Sequence, residues 1–302
     1  MEISAAQLDQ RIDNFLFKQL GDVPRTRIYR LIRKGEVRVN KKRCKPEYKL
    51  QIGDQVRIPP LRHEEGLEGR RQPPPRLLDE LKDAVLFQNP HLLVIDKPAK
   101  LAVHAGSSVA WGIIDAMRLL YPQDDIELVH RLDRDTSGCL LFARHRQALL
   151  ALQQMLRENR LVKRYYALVK GAWPENQREV NLPLKKYHLA NNERRVAVAD
   201  DGKPALSRFQ LQQAGRQYSI IQVELVTGRT HQIRVHCQAL GHEIAGDDKY
   251  GDPRFNREMR KQGIRRLMLH AASLEFPQSD YTPEIVINAP LPAAFDKMTC
   301  PG

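Results

Sequence analysis

The segment from His130 to Gly138 sets one carboxylate, Asp133, between two arginines, Arg131 and Arg134. A guanidinium beside a carboxylate keeps the acid ionised and fixes its direction. An ionised, oriented aspartate can serve as nucleophile or base. The flanks read as a loop held by strands. Glu127-Leu128-Val129 ends one strand, Asp135-Thr136-Ser137-Gly138 is a turn, and Gly138 to Ala143 is an apolar strand. Charged loops between rigid strands are common places for function. A purely structural Arg–Asp pair that pins the loop fits the same spacing.

A second charged group runs from Thr227 to His236. The spacing predicts Thr230 as the N-cap of a helix that reaches Leu240 and stops at Gly241. His231 and Arg234 then share a face. Arg234 could approach a carboxylate such as Asp133, while Arg229, ahead of the helix start, holds phosphate. An ordinary polar helix face is the competing reading. In Lys163-Arg164-Tyr165-Tyr166, two cations and two tyrosines lead a strand. One tyrosine should face inward and one outward. An inward tyrosine near a carboxylate can stack on a base or move a proton, and a core tyrosine is the alternative. No metal is expected. His130, His231, His236 and His270 form no His-x-x-x-His pair with a carboxylate partner, and Arg131 and Arg134 would repel a cation from Asp133 and Asp135. No phosphate-loop or dinucleotide glycine pattern is present.

These residues need a scaffold. The 302 residues suffice for one large and one small domain. A net charge of +13 points to a polyanionic partner. No run of eighteen apolar residues exists, so a spanning helix is not expected. The first residues lack the pattern of a signal peptide. Cys44, Cys139, Cys237 and Cys300 are scattered, which suggests reduced thiols in the cytoplasm.

Residues 1–60 read as a small basic module. Leu8, Ile12, Phe15, Leu16 and Leu20 keep helical spacing up to Gly21, and Pro24 opens a second helix, Arg25 to Lys34, closed by Gly35. Strands Glu36 to Val39 and Gln55 to Ile58 follow, with a turn at Asn40-Lys41-Lys42-Arg43. From Arg25 to Lys49 eleven Lys/Arg face two Glu. Such segregation favours phosphate binding, with Arg25, Arg27, Arg30, Arg33, Lys34, Lys41, Lys42 and Arg43 as candidates. Residues 61–76 read as a proline-containing linker. Residues 77–302 mix strands with helices such as Arg146 to Asn159. The strands do not alternate regularly with helices, so the class is α+β, with a mixed, mainly antiparallel sheet.

Taken together, the chain resembles the RluA-type pseudouridine synthases over nearly its whole length. The motifs that carry the likeness are His130-Arg131-Leu132-Asp133 with Thr136-Ser137-Gly138, Lys163 with Tyr165, and Gly228 to His236. Gly241 to Ile244, Gly246-Asp247, Tyr250-Gly251 and Leu269-His270-Ala271 also fit. Arg11-Ile12-Asp13 and Arg33 to Asn40 resemble an S4 RNA-binding domain. Lys100 departs from a usual glycine and Cys139 from a usual valine.

The resemblance implies a pseudouridine synthase fold preceded by a small α/β S4-like domain. It implies Asp133 as the nucleophile that lets uracil leave its ribose, turn and rejoin through carbon 5, by attack on either sugar or base. Tyr165 would stack on the uracil and is a candidate base. Arg234 would pair with Asp133. Arg131 would hold the target nucleotide out, with Arg229 and His231 also facing RNA. The implied partner is 23S ribosomal RNA of the large subunit, modified at several uridines near the peptidyl-transferase region, with no cofactor. A monomer is expected. Two other classes stay open: a ribosome assembly factor that binds RNA without catalysis, and a metal nuclease acting on RNA.

Overall fold

The computed structural model of the chain describes residues 1–20, 23, 25–60, 73–105, 111–174, 176–189 and 193–296. Contacts divide the chain into two compact units, Met1–Arg71 and Gln72–Gly302.

The N-terminal unit packs α1 (Ile12–Gln19) and α2 (Arg25–Lys34) beside a two-stranded sheet, β1 (Arg38–Val39) with β2 (Val56–Arg57). Ile12, Phe15, Leu16, Ile28, Leu31 and Ile32 form its core, as their helical spacing requires. The first helix starts later than the pattern suggested. Ser4 and Gln7 cap a single 3-10 turn, Ala5–Gln7, and Asp9 then takes a left-handed φ of 58°. Leu8 is therefore exposed rather than in the core. Asn40 and Lys41 are also left-handed and close a two-residue turn between Val39 and Lys42. The Asn40 amide donates to Asp54, which fixes the turn that carries Lys41 and Lys42 into solvent. Gly21, Pro24 and residues 61–72 of the expected linker lie outside the described residues.

Pro75 and Arg76, expected in the linker, open α3 (Pro75–Asp83), because proline suits a first helical turn. The second unit continues with β3 (Val85–Gln88), β4 (Leu92–Lys97), α4 (Ile113–Leu120), β5 (Glu127–Leu128), β6 (Ser137–Ala143), α5 (Arg146–Arg157) and β7 (Val162–Lys170). Then come β8 (Gln177–Asn181), β9 (Leu184–His188), β10 (Arg194–Val198), β11 (Leu206–Gln213) and β12 (Tyr218–Leu225). The last elements are α6 (Gln232–Ala239), α7 (Pro253–Lys261), β13 (Leu269–Phe276), β14 (Ile285–Asn288) and α8 (Ala293–Asp296).

Ten strands form one sheet with the path β3-β4-β6-β13-β7-β12-β11-β8, to which β5 and β14 add. Among the described residues its only parallel pair is β6 with β13, so the mixed, mainly antiparallel class holds. The middle of the sheet is covered on both faces. Leu93, Ile95, Leu140 and Phe142 enter one apolar layer, and Leu92, Val94, Cys139 and Leu141 enter the other, under α5. That is why β4 and β6 read as unbroken apolar runs. Cys44, Cys139 and Cys237 are free thiols, and Cys300 is outside the described residues. No described helix is long and apolar enough to cross a membrane.

Candidate active site

Asp133 sits on the loop between β5 and β6. Its carbonyl accepts the Thr136 N–H at 3.2 Å, closing the turn. Lys97, fully buried at the end of β4, ties this loop to the sheet. Its ammonium donates to the carbonyls of Pro98 (2.8 Å), Leu101 (2.9 Å) and Arg134 (3.0 Å). Burial pushes Lys97 down to about 7, while these acceptors favour its ammonium form. Beside it, Leu141 N–H donates to His130 Nε2 at 3.2 Å, and burial pushes His130 down to about 3. The imidazole is thus a neutral acceptor that sews the loop to β6. Gly138 follows with a φ of 104°, and a Cβ there would stand 2.2 Å from the Ala271 carbonyl oxygen. Only glycine lets β13 come this close.

The second charged group faces the first. Arg234, on α6, donates through Nη1 to Asp133 Oδ2 at 3.0 Å. It also grips Asp247 with Nε and Nη2, both at 2.7 Å. The side chains are 18% exposed at Asp133, 8% at Arg234 and 1% at Asp247. Burial opposes both charges of the Arg234–Asp247 pair. The paired hydrogen bonds outweigh it, so Arg234 is raised and Asp247 lowered from their ordinary values. Asp247 further accepts the N–H groups of Lys249 and Tyr250. Asp133 Oδ1, by contrast, makes no hydrogen bond to a described residue.

Thr230 does not cap the helix. His231 is the N-cap, in a left-handed conformation with φ 55°. Gln232 holds the preceding turn. Its Oε1 accepts from the Thr227 hydroxyl and Arg229 N–H, and its Nε2 donates to the Leu206 carbonyl and Ser207 hydroxyl. His231 Nε2 lies 3.8 Å from Asp133 Oδ2. Arg229 donates through Nε to the Pro204 carbonyl at 3.0 Å, which leaves its terminal nitrogens for an anion.

Asp133, Arg131, His231 and Arg234 lie where two clefts meet. One cleft, of about 480 Å³, has Tyr165, Ile233, Leu269 and Lys163 in its wall. Tyr165 is buried and Tyr166 partly exposed, the alternation expected of a strand. Burial first, then the Asp133 charge, raises the Tyr165 phenol far above its ordinary value, so it stays protonated. Lys163 is pushed down to about 8 by burial. The other cleft, of about 890 Å³, has more cations than carboxylates in its wall: Lys100, Arg131, Arg134, Arg265 and Arg266 are there, and so are Asp135, Glu193 and Asp248. Lys100 takes φ 70°, a left-handed turn where glycine would be at ease. Arg131 is exposed and has no partner among the described residues.

In the N-terminal unit, Arg30, Arg33, Lys34, Lys41, Lys42 and Arg43 are exposed and form no ion pair with a described residue. Arg27 is partly buried, and the Arg25 side chain lies outside the described residues. Asp247 and Lys97 are the site residues that sequence reasoning left without a role. Asp247 stood inside a noted segment and Lys97 three residues before the noted Lys100, but neither stretch shows what the side chain meets.

The sequence profile of the RNA pseudouridylate synthase family matches residues 91–239, and that of the S4 domain matches residues 10–56. The chain is 48% identical to the ribosomal large subunit pseudouridine synthase C of Escherichia coli (strain K12), over 96% of this chain and 92% of the relative. The chain belongs to the RNA pseudouridylate synthase family. It is also 46% identical to the protein of the same name from Pasteurella multocida (strain Pm70), over 99% of this chain and 92% of the relative. Among solved structures the synthase resembles human RNA pseudouridylate synthase domain containing 1, with a TM-score of 0.58 and 26% identity over 70% of this chain and 86% of that one. Human RNA pseudouridylate synthase domain containing 4 shares the fold, with a TM-score of 0.61 and 24% identity over 74% and 94% of the two chains. Members of this family are isomerases, and the synthase carries an S4 RNA-binding domain ahead of its catalytic sheet.

Proposed function

We propose that this enzyme isomerises uridine to pseudouridine in 23S RNA of the large ribosomal subunit, with Asp133 as nucleophile. The names of the bacterial relatives support that substrate. The observation that carries the chemistry is a carboxylate held by one oxygen and open at the other. Arg234 fixes Oδ2, and Oδ1 is left at the junction of two clefts.

The target base enters the smaller cleft and stacks on Tyr165. Flipping a nucleotide out of its stack costs a few kcal/mol. Arg131 fills the space it leaves, and Arg229 and the basic cleft hold the backbone. In the sugar route, Asp133 Oδ1 bonds to C1′ and the glycosidic electron pair leaves with the uracil. The ring turns, C5 bonds to C1′, and the carboxylate departs. The C5 proton is lost and N1 gains one, so the product is an isomer of the substrate. In the base route Oδ1 adds to C6 as the C5–C6 π pair moves toward the O4 carbonyl. The C1′–N1 bond then breaks, C5 bonds to C1′, and the carboxylate leaves C6. The C5 proton is again exchanged for one on N1. The phenol of Tyr165 stays protonated in either route, so it acts by stacking and donation. The freed Asp133 carboxylate is the base within reach of the C5 proton.

Residues 1–60 serve as the RNA-binding domain, 61–74 as linker and 75–302, from the start of α3, as catalytic domain. In this proposal the enzyme is a monomer acting on RNA in the cytoplasm. The test is a pseudouridine map of unmodified large-subunit RNA after incubation with the native enzyme and Asp133→Asn. Product at discrete uridines with the native enzyme alone is expected. Product with Asp133→Asn would sink the nucleophile. Tight binding with no product from either protein would favour an assembly factor.

A further inference from the structure

His231 combines an uncommon backbone conformation with a short contact between its ring and the Tyr250 hydroxyl. Val196 N–H donates to the Tyr250 hydroxyl oxygen at 3.0 Å. The one described neighbour able to take the hydroxyl's own hydrogen is His231 Nδ1, at 2.7 Å. Filling that acceptor leaves the proton of a neutral ring on Nε2. Nε2 is the nitrogen that faces Asp133 Oδ2 at 3.8 Å, the same oxygen that Arg234 holds.

We infer that His231 is a positioning residue, locked by Tyr250 in the tautomer that presents an N–H to the Asp133 carboxylate. This rests on the reading of Asp133 as nucleophile. Arg234 then bonds Oδ2 at 3.0 Å while the His231 N–H lies 3.8 Å from the same oxygen, a distance that steers the carboxylate electrostatically and leaves Oδ1 to attack. The opposite tautomer would aim a lone pair at the carboxylate and repel it. An imidazolium would add a second full charge beside Arg234 and blunt the nucleophile. A neutral donor gives direction without that loss. The charged and titratable groups facing the ring are Asp133, Arg234, Asp247, Lys249 and Tyr250. Burial lowers His231 below its ordinary value, and the acidic and basic neighbours oppose one another. The left-handed backbone of His231 brings the ring to this place, where a helical residue would be carried away with α6.

The test uses the full chain with histidine ring nitrogens labelled by ¹⁵N. At neutral pH, His231 should show a pyridine-type Nδ1 and a pyrrole-type Nε2, assigned by their loss in His231→Gln. Tyr250→Phe removes the lock. It should yield mixed tautomers and move the His231 ionisation in the kcat–pH profile upward from its position in the native enzyme, toward but not beyond the ordinary histidine value of about 6.5. His231→Leu should lower kcat about 10- to 100-fold, with KM within about threefold of native. His231→Gln should recover much of that loss, because its amide again offers an N–H. A pyrrole-type Nδ1 in the native protein would overturn the lock, as would His231→Leu with native kcat. Product from Asp133→Asn would instead overturn the nucleophile reading.

Discussion

Arg234 divides its guanidinium between two carboxylates with different duties. Asp247 takes two of its nitrogens in a buried fork, and Asp133 takes the third. The fork sets the plane of the guanidinium, and so the direction of the N–H that reaches Asp133. Removing one member of a buried pair leaves an uncompensated charge and costs about 3–5 kcal/mol. Asp247→Asn is therefore expected to lose on the order of 3 kcal/mol in denaturant unfolding. It should also lose kcat more than KM, because Arg234 no longer points reliably at Asp133. Lys163 gives a pH-dependent counterpart. Burial lowers its folded value from 10.5 to about 8, so between those values the unfolded chain binds more protons than the folded one. Stability gains from this group as pH rises through that window, and its penalty is complete below about 8. Lys163→Met should raise the melting temperature at pH 7 and raise it much less at pH 10. An equal gain at both values would refute the assignment.

At the scale of elements, the site depends on close approaches that only glycine allows. Gly138 lets β13 lie against the strand that follows Asp133, and Gly246 brings Asp247 past the Arg266 carbonyl, where a Cβ would stand 1.9 Å from its oxygen. Gly138→Ala should disturb the β6–β13 pairing, lower thermal stability by more than ordinary surface changes do, and lower activity with it. Parallel melting and activity curves would check this. The periodic elements were legible beforehand. The spans of α2 and α5 stand close to where residue spacing put them. The misreadings have local causes. Asp9 and His231 adopt left-handed conformations that propensity assigns to glycine or asparagine, which moved two helix starts. Short strands such as β8 and β9 carry too few residues to show a period. In the site, Asp133 was legible from its neighbours in sequence. The Arg234 contact bridges 101 residues; helix spacing allowed the pair, and the motif likeness implied it. Asp247 had no such cue to its partner.

For the whole molecule, charge and topology make separate demands. The net charge of +13 has much of its excess on one stretch of the N-terminal unit. Lys41, Lys42 and Arg43 stand exposed on or beside a turn fixed by Asn40 and Asp54. Changing all three to glutamine should flatten the dependence of RNA affinity on salt, reducing the slope of log K against log[salt] by about 2 to 3. The activity loss should fall on KM. A slope equal to that of the native enzyme would show that these cations do not meet phosphate. Strand order carries a further consequence. The strand Leu269–Phe276 lies in the middle of the sheet, between one strand that starts at Ser137 and another that starts at Val162. On a ribosome making this enzyme, the RNA-binding unit emerges early and has its own core. The catalytic sheet has to wait with a gap at its centre until Leu269–Phe276 has been made. A nascent chain would thus gain its grip on RNA before its chemistry.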